Sequence, residues 1–168
     1  QFPVVRVRTS RIFCAVNVQS VALTGAVPCN RLFCYCWVAS FIENESLYGF
    51  EHTIELLSAK IAEIGWKISV VHDLQDTLRK NGKDVLPVKV IELCKPDYSV
   101  QLLKEDKERI YSSLMPCRIS VYLTSDGKTH ISRMNSQLLA SQIGGLVEKV
   151  MGEAFSSIEA ILKSMIKK

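Results

Sequence analysis

Histidine is scarce in this chain: His52, His72 and His130 are the three copies, and they lie far apart. No Ser-His-Asp or Cys-His order can be laid out from them, so a conventional triad or dyad is not expected. A phosphate-cradling loop is missing too, because Gly144-Gly145 follows no strand and has no partner Lys-Ser/Thr. No apolar run reaches the ~18 unbroken residues that a spanning helix needs, and there is no internal repeat or low-complexity segment. Cys34-x-Cys36 lacks a second pair at zinc spacing and has no histidine nearby, which argues against a structural metal there. Residues 1–42 contain no acidic side chain, only Arg6, Arg8, Arg11 and Arg31. Those four arginines account for the whole net charge of +4. From Glu43 onward the chain is neutral, and a nucleic-acid footprint is not expected.

What is present suits one ordinary domain with an appendage. At 168 residues and 48% hydrophobic content, the chain can bury a core without disulfide staples. Residues 1–35 show no sustained periodicity and are expected to be an irregular extension, with the domain occupying 36–168. Arginines followed by Ile12–Val16 and Val21–Ala26 resemble a signal peptide or anchor, but Asn17, Gln19 and Ser20 interrupt the pattern. A cytoplasmic protein without a membrane segment is the expectation. Cys14, Cys29, Cys34 and Cys36 lie in or beside the extension, and only Cys94 and Cys117 lie in the body of the domain.

Periodicity then places the elements. Trp37–Ile42 reads as a first strand. Phe50, Ile54, Leu57, Ile61 and Ile64 step by four and three, the signature of one helical face, and Gly65 supplies its stop. Trp66–Val71 is β-rich, with His72 at the strand exit as an edge histidine. Asp73 and Asp76 suit the start of a short helix that Asn81-Gly82 ends. Leu86–Leu93 is nearly continuous apolar sequence and is expected to form a central strand covered on both faces. Pro96 fits the first turn of the next helix. From Ser136 a long C-terminal helix is expected, weakened at Gly144-Gly145 and Gly152, its far end docking on a second subunit.

The unusual chemistry gathers between Val88 and Asn135. Cys94 should end a strand at a helix N-terminus with Lys95 beside it, a setting that favours thiolate. Cys117 opens the next strand. If Asp126-Gly127 is a two-residue primed turn, Leu123 pairs with His130, Val121 with Ser132 and Ile119 with Met134. That register gathers Cys117, Arg118, Arg133 and Asn135 at the open end of the hairpin, where two guanidinium groups would hold a carboxylate or phosphate. Met115 and Met134 add soft sulfur, which makes a soft metal or haem conceivable but not favoured, since methionines at apolar positions are ordinarily core filler. Glu105, Asp106 and Glu108 read as solvated surface charge.

Phe50 to Leu57, Trp66 to Asp73, Cys94-x-Pro96, Leu114 to Tyr122 and Ser132-Arg133-Met134-Asn135 together resemble the DUF302 family, a bacterial and archaeal domain of unknown function. The likeness covers roughly Phe41 to Phe155 and leaves residues 1–35 outside. It implies an α+β fold in a single compact domain, with a mostly antiparallel sheet, helices packed on it, and homodimers. Many members carry Asn where this chain has Lys95 and Arg118, so a role needing those amides does not carry over. The family supplies no activity. The residues favour a small binding module for an anionic or thiol-reactive ligand, built from Cys94, Lys95, Cys117, Arg118, Arg133 and Asn135. A thiol-dependent enzyme using Cys94 or Cys117 in sulfur transfer or redox chemistry is the alternative, and a homodimeric interaction protein with buried, inert cysteines is the third.

Overall fold

The computed structural model describes residues 40–167. The four-and-three spacing from Phe50 builds helix α1 (Phe50–Glu63), whose buried side carries Thr53, Ile54, Leu57 and Ile61. Gly65 takes φ +74° just past the helix. Its N–H donates to Ala62 O at 3.0 Å and Trp66 N–H donates to Ile61 O at 3.1 Å, which satisfies two carbonyls at the helix end. Trp66 is thereby folded back beside Ile61 in the core, and the chain enters β2 (Lys67–Asp73) directly. Asp73 caps α2 (Leu74–Lys80) by accepting Asp76 N–H at 2.8 Å.

The remaining elements are β3 (Val88–Cys94), α3 (Pro96–Leu103), a 3-10 segment (Glu108–Leu114), β4 (Cys117–Leu123), β5 (Thr129–Met134), α4 (Ser136–Ile143) and α5 (Gly145–Leu162). With β1 (Phe41–Glu45), the strands make one antiparallel sheet in the order β1-β5-β4-β3-β2. This is the expected α+β fold. Ile91, Leu93, Ile119, Val121 and Ile131 point to one face and are sealed in a single core with Leu57, Ile158 and Leu162 from α1 and α5. The opposite face carries Phe41, Val90, Ser120, Tyr122, Ser132 and Met134, none of which is buried.

Three expectations are corrected. The central strand is β4, and β3 has Ile91 and Leu93 buried on one face; its sequence is rich in apolar residues on both faces because Val88 and Val90 sit on the half-open side. The first strand is Phe41–Glu45, while Trp37–Ala39 lie outside the described residues, as do the signal-like segment and Cys14, Cys29, Cys34 and Cys36. As an edge strand β1 needs one ladder only, with β5, and so accepts Asn44 and Glu45. Finally, Gly144 at φ +79° splits the C-terminal helix into α4 and α5. The end of α5 packs on its own chain. Leu162 and Met165 are fully buried, Met165 O accepts Leu47 N–H and Lys167 N–H donates to Glu45 O, each at 2.8 Å. The segment joining β1 to α1 offers the slot that receives it. None of the helices among the described residues is long and apolar enough to cross a membrane.

Candidate functional site

The β4–β5 hairpin decides which side chains meet. Ser125, Asp126 and Gly127 form a three-residue loop rather than a two-residue turn: Thr124 N–H donates to Lys128 O and Gly127 N–H to Thr124 O, both at 2.9 Å, with Gly127 at φ +79°. Thr124 Oγ1 braces the loop by donating to Asp126 Oδ1 at 2.5 Å. One extra loop residue slips the register, so Leu123 pairs with Thr129, Val121 with Ile131 and Ile119 with Arg133. Because strand side chains alternate, every β5 residue changes face relative to the expected pairing.

The expected cluster of Arg118, Arg133 and Asn135 is therefore not formed. Arg133 turns inward and is 6% exposed. Its Nε and Nη2 donate to the Glu159 carboxylate at 2.6 and 2.7 Å, and its Nη1 to Asn44 Oδ1 at 2.6 Å, tying α5 to β1 and β5. Arg118 lies on the opposite face, where its Nε donates to Glu92 Oε1 at 2.9 Å and its terminal nitrogens have no partner among the described residues. The Arg118 hydrogen bond, aided by His72 at 3.3 Å, holds the Glu92 carboxyl below the usual carboxylate range. Asn135 caps α4 by accepting Leu138 N–H at 3.1 Å. Lys95 Nζ donates to Ile64 O at 3.2 Å and lies 5.6 Å from the Tyr98 ring centroid.

The two cysteines do come together. Cys117 pairs with Leu93 across the β3–β4 ladder, and Cys94, next along β3, lines the same cavity of about 50 Å³. Cys94 Sγ lies 3.0 Å from Ser99 Oγ in the first turn of α3. Cys117 is more enclosed, and burial with the nearby Cys94 pushes its thiol up to about 11. At neutral pH only about one such thiol in 10⁴ is ionised, the opposite of an activated nucleophile. The histidines stay apart: His130 stacks on Tyr122 with ring centroids 5.6 Å apart, and its Nδ1 is buried without a hydrogen-bond partner among the described residues.

A larger cavity, about 310 Å³, opens where the β4–β5 ladder stops at Ile119–Arg133. Beyond that pair β5 continues against β1 and β4 against β3, and the cavity occupies the split. Phe41, Leu114, Met134 and Phe155 give it apolar walls. Ser120 and Ser132, directly opposed across the ladder, contribute hydroxyls that have no hydrogen-bond partner among the described residues. Cys117, Arg118 and Arg133 also line it, although Glu159 and Asn44 hold the Arg133 guanidinium. Sequence reasoning missed Ser120, Ser132 and Phe155 because their meeting depends on register and on the path of α5. The apolar residues at the Pro116 turn were the only local hint. No group of three or more His, Cys, Asp or Glu suited to a metal ion occurs among the described residues.

Residues 42–165 match the family model described as domain of unknown function DUF302. The crystal structure of an uncharacterised conserved DUF302 protein from Bacillus stearothermophilus is similar over 73% of this chain and 95% of its own, at 20% identity and a TM-score of 0.65. That likeness shows a shared fold. No curated protein matches this chain.

Proposed function

Because this chain belongs to the DUF302 family, whose description states no activity, we propose a function from its own geometry: a binding module for a small, largely apolar molecule with one acidic end. The cavity at the β4–β5 split carries the reading. It combines apolar walls with two serine hydroxyls that lack a hydrogen-bond partner among the described residues, the mixture of broad apolar surface and few oriented polar groups typical of ligand sites. Arg118 lines the same cavity, its terminal nitrogens have no partner among the described residues, and it is the group suited to a carboxylate or sulfonate. The reading retains Cys117 and Arg118 from the expected site residues. Lys95, Arg133 and Asn135 act instead as structural ties, and Cys94 belongs to the neighbouring cavity.

Titration with 1-anilinonaphthalene-8-sulfonate, an apolar anion, tests the proposal. One probe per chain is expected, with Ser132→Leu, which fills the cavity, abolishing binding. Arg118→Ala should weaken this anion while leaving a neutral dye such as Nile red unaffected. Probe binding undiminished by Ser132→Leu would show that the cavity is not the site.

For the thiol-enzyme alternative, the raised Cys117 thiol argues against Cys117 as the nucleophile and leaves Cys94 as its candidate. A second copy docking on the half-open sheet face keeps one supporting observation, the opposed pair Phe41 and Met134, which are 61% and 41% exposed. Its test is the solution mass of the chain against that of Phe41→Ser.

A further inference from the structure

Six sulfur-bearing side chains occur among the described residues, and four of them, Cys94, Met115, Cys117 and Met151, line the single cavity of about 50 Å³. Met134 lies on the half-open sheet face and Met165 in the main core, so the concentration is local. Among the described residues no histidine, aspartate or glutamate lines that cavity. The space suits an ion rather than a molecule; Tyr98, Ser99 and Ser136 add neutral hydroxyls to its wall, but the side chains there able to carry a negative charge are the two thiols, with two thioethers beside them.

We propose that this cavity is a binding site for Cu(I), held by the Cys94 and Cys117 thiolates with Met115 and Met151 as thioether donors. The reading goes beyond the ligand cavity and does not depend on it. Thiolate and thioether sulfur together select monovalent copper, whereas zinc is ordinarily held by four ligands of thiolate, imidazole or carboxylate type, of which only two are present here. Binding exchanges two protons for one ion: each S–H bond breaks, two thiolate–Cu bonds and two neutral thioether–Cu bonds form, both protons pass to solvent, and copper stays in its reduced state. The resulting centre carries one negative charge. Lys95 lines the same cavity and supplies a positive charge to balance it. Cys94, Met115 and Cys117 come from the two sequence steps around Pro96 and Pro116. Met151 arrives from α5, so the set exists only in the folded chain.

The test uses the full chain with Cys14, Cys29, Cys34 and Cys36 replaced by serine, which removes competing thiols, under anaerobic conditions with bicinchoninate as competitor. One Cu(I) per chain should be withdrawn from the chelator. Cys94→Ser and Cys117→Ser should each weaken uptake more than about 100-fold, and Met115→Leu or Met151→Leu about tenfold. X-ray absorption of the copper-loaded protein keeps the proposal testable should a cysteine variant fail to fold: an all-sulfur coordination shell is expected. Failure to withdraw copper, nitrogen or oxygen in that shell, equal uptake by the double methionine variant, or zinc bound as tightly as copper would each overturn it.

Discussion

Replacing Arg133 distinguishes its structural part from the ligand-binding part that its sequence context suggests. Its side chain is 4% exposed and grips Glu159, itself 21% exposed, through two short parallel hydrogen bonds, with a third to Asn44. In Arg133→Ala the carboxylate stays close to the sheet without its counter-charge, and the Asn44 oxygen loses its donor. Breaking a buried pair from one side costs about 3–5 kcal/mol, which for a domain of this size lowers Tm by something of order 10 °C. Removing both charges is a different perturbation. In Arg133→Met/Glu159→Met no uncompensated charge is left, so the double variant should be more stable than either single one. Arg118→Ala is the control, because its side chain is 60% exposed and pairs with Glu92 at the surface, where loss is within about 1 kcal/mol. Equilibrium urea unfolding of Arg133→Ala, Arg133→Met, Glu159→Met, the double variant and Arg118→Ala provides the comparison. The reasoning fails if Arg133→Ala loses less than about 1 kcal/mol, or if the two single losses simply add in the double variant.

Cys117 holds its proton up to about pH 11, so above about pH 9 the unfolded chain ionises while the native one does not. Stability should therefore be unaffected at neutral pH and fall by roughly 2–3 kcal/mol between those limits, a slope that Cys117→Ala should remove in alkaline unfolding titrations. Alkylation of Cys117 by iodoacetamide at neutral pH should be much slower than in the urea-unfolded chain, measured by peptide mass mapping. Gly127 sits at φ +79° in the hairpin loop, so Gly127→Ala should cost about 1 kcal/mol or more through strain, read from chemical denaturation. Thr53 Oγ1 lies 2.8 Å from Ser46 Oγ in the slot that receives the C-terminus. Thr53→Val leaves the buried Ser46 short of a partner and should cost about 1–3 kcal/mol, with hydrogen exchange rising first at Leu47 and Lys167.

Homologous fold and local elements were legible without coordinates wherever the determining contacts span a few residues. The α1 stripe, the stops at Gly65 and Gly82, the Asp73 cap and Pro96 in the first turn of α3 all depend on such neighbours. The hairpin shows where this stops. Asp126-Gly127 is compatible with a two-residue turn and with a three-residue loop, and the choice falls on the loop that places Ile131 inside with Val121. The expected register instead set Ile131 beside Tyr122 on the polar side, an inconsistency visible in the sequence itself. Arg133 was harder to place, since an inward arginine contradicts the apolar pattern unless Glu159 meets it from α5.

The sequence by itself determined the α+β class, the stops of α1 and α2 and the placing of Cys94 and Cys117 at strand ends, because period and caps impose them over short distances. Only the tertiary structure decided that Arg118 and Arg133 take opposite faces, that Met151 rather than Met134 joins the cysteines, and that a cavity opens where β4 and β5 part. Those outcomes turn on a one-residue register and on the path of α5 across the sheet, and they are settled by packing between segments that no local pattern connects.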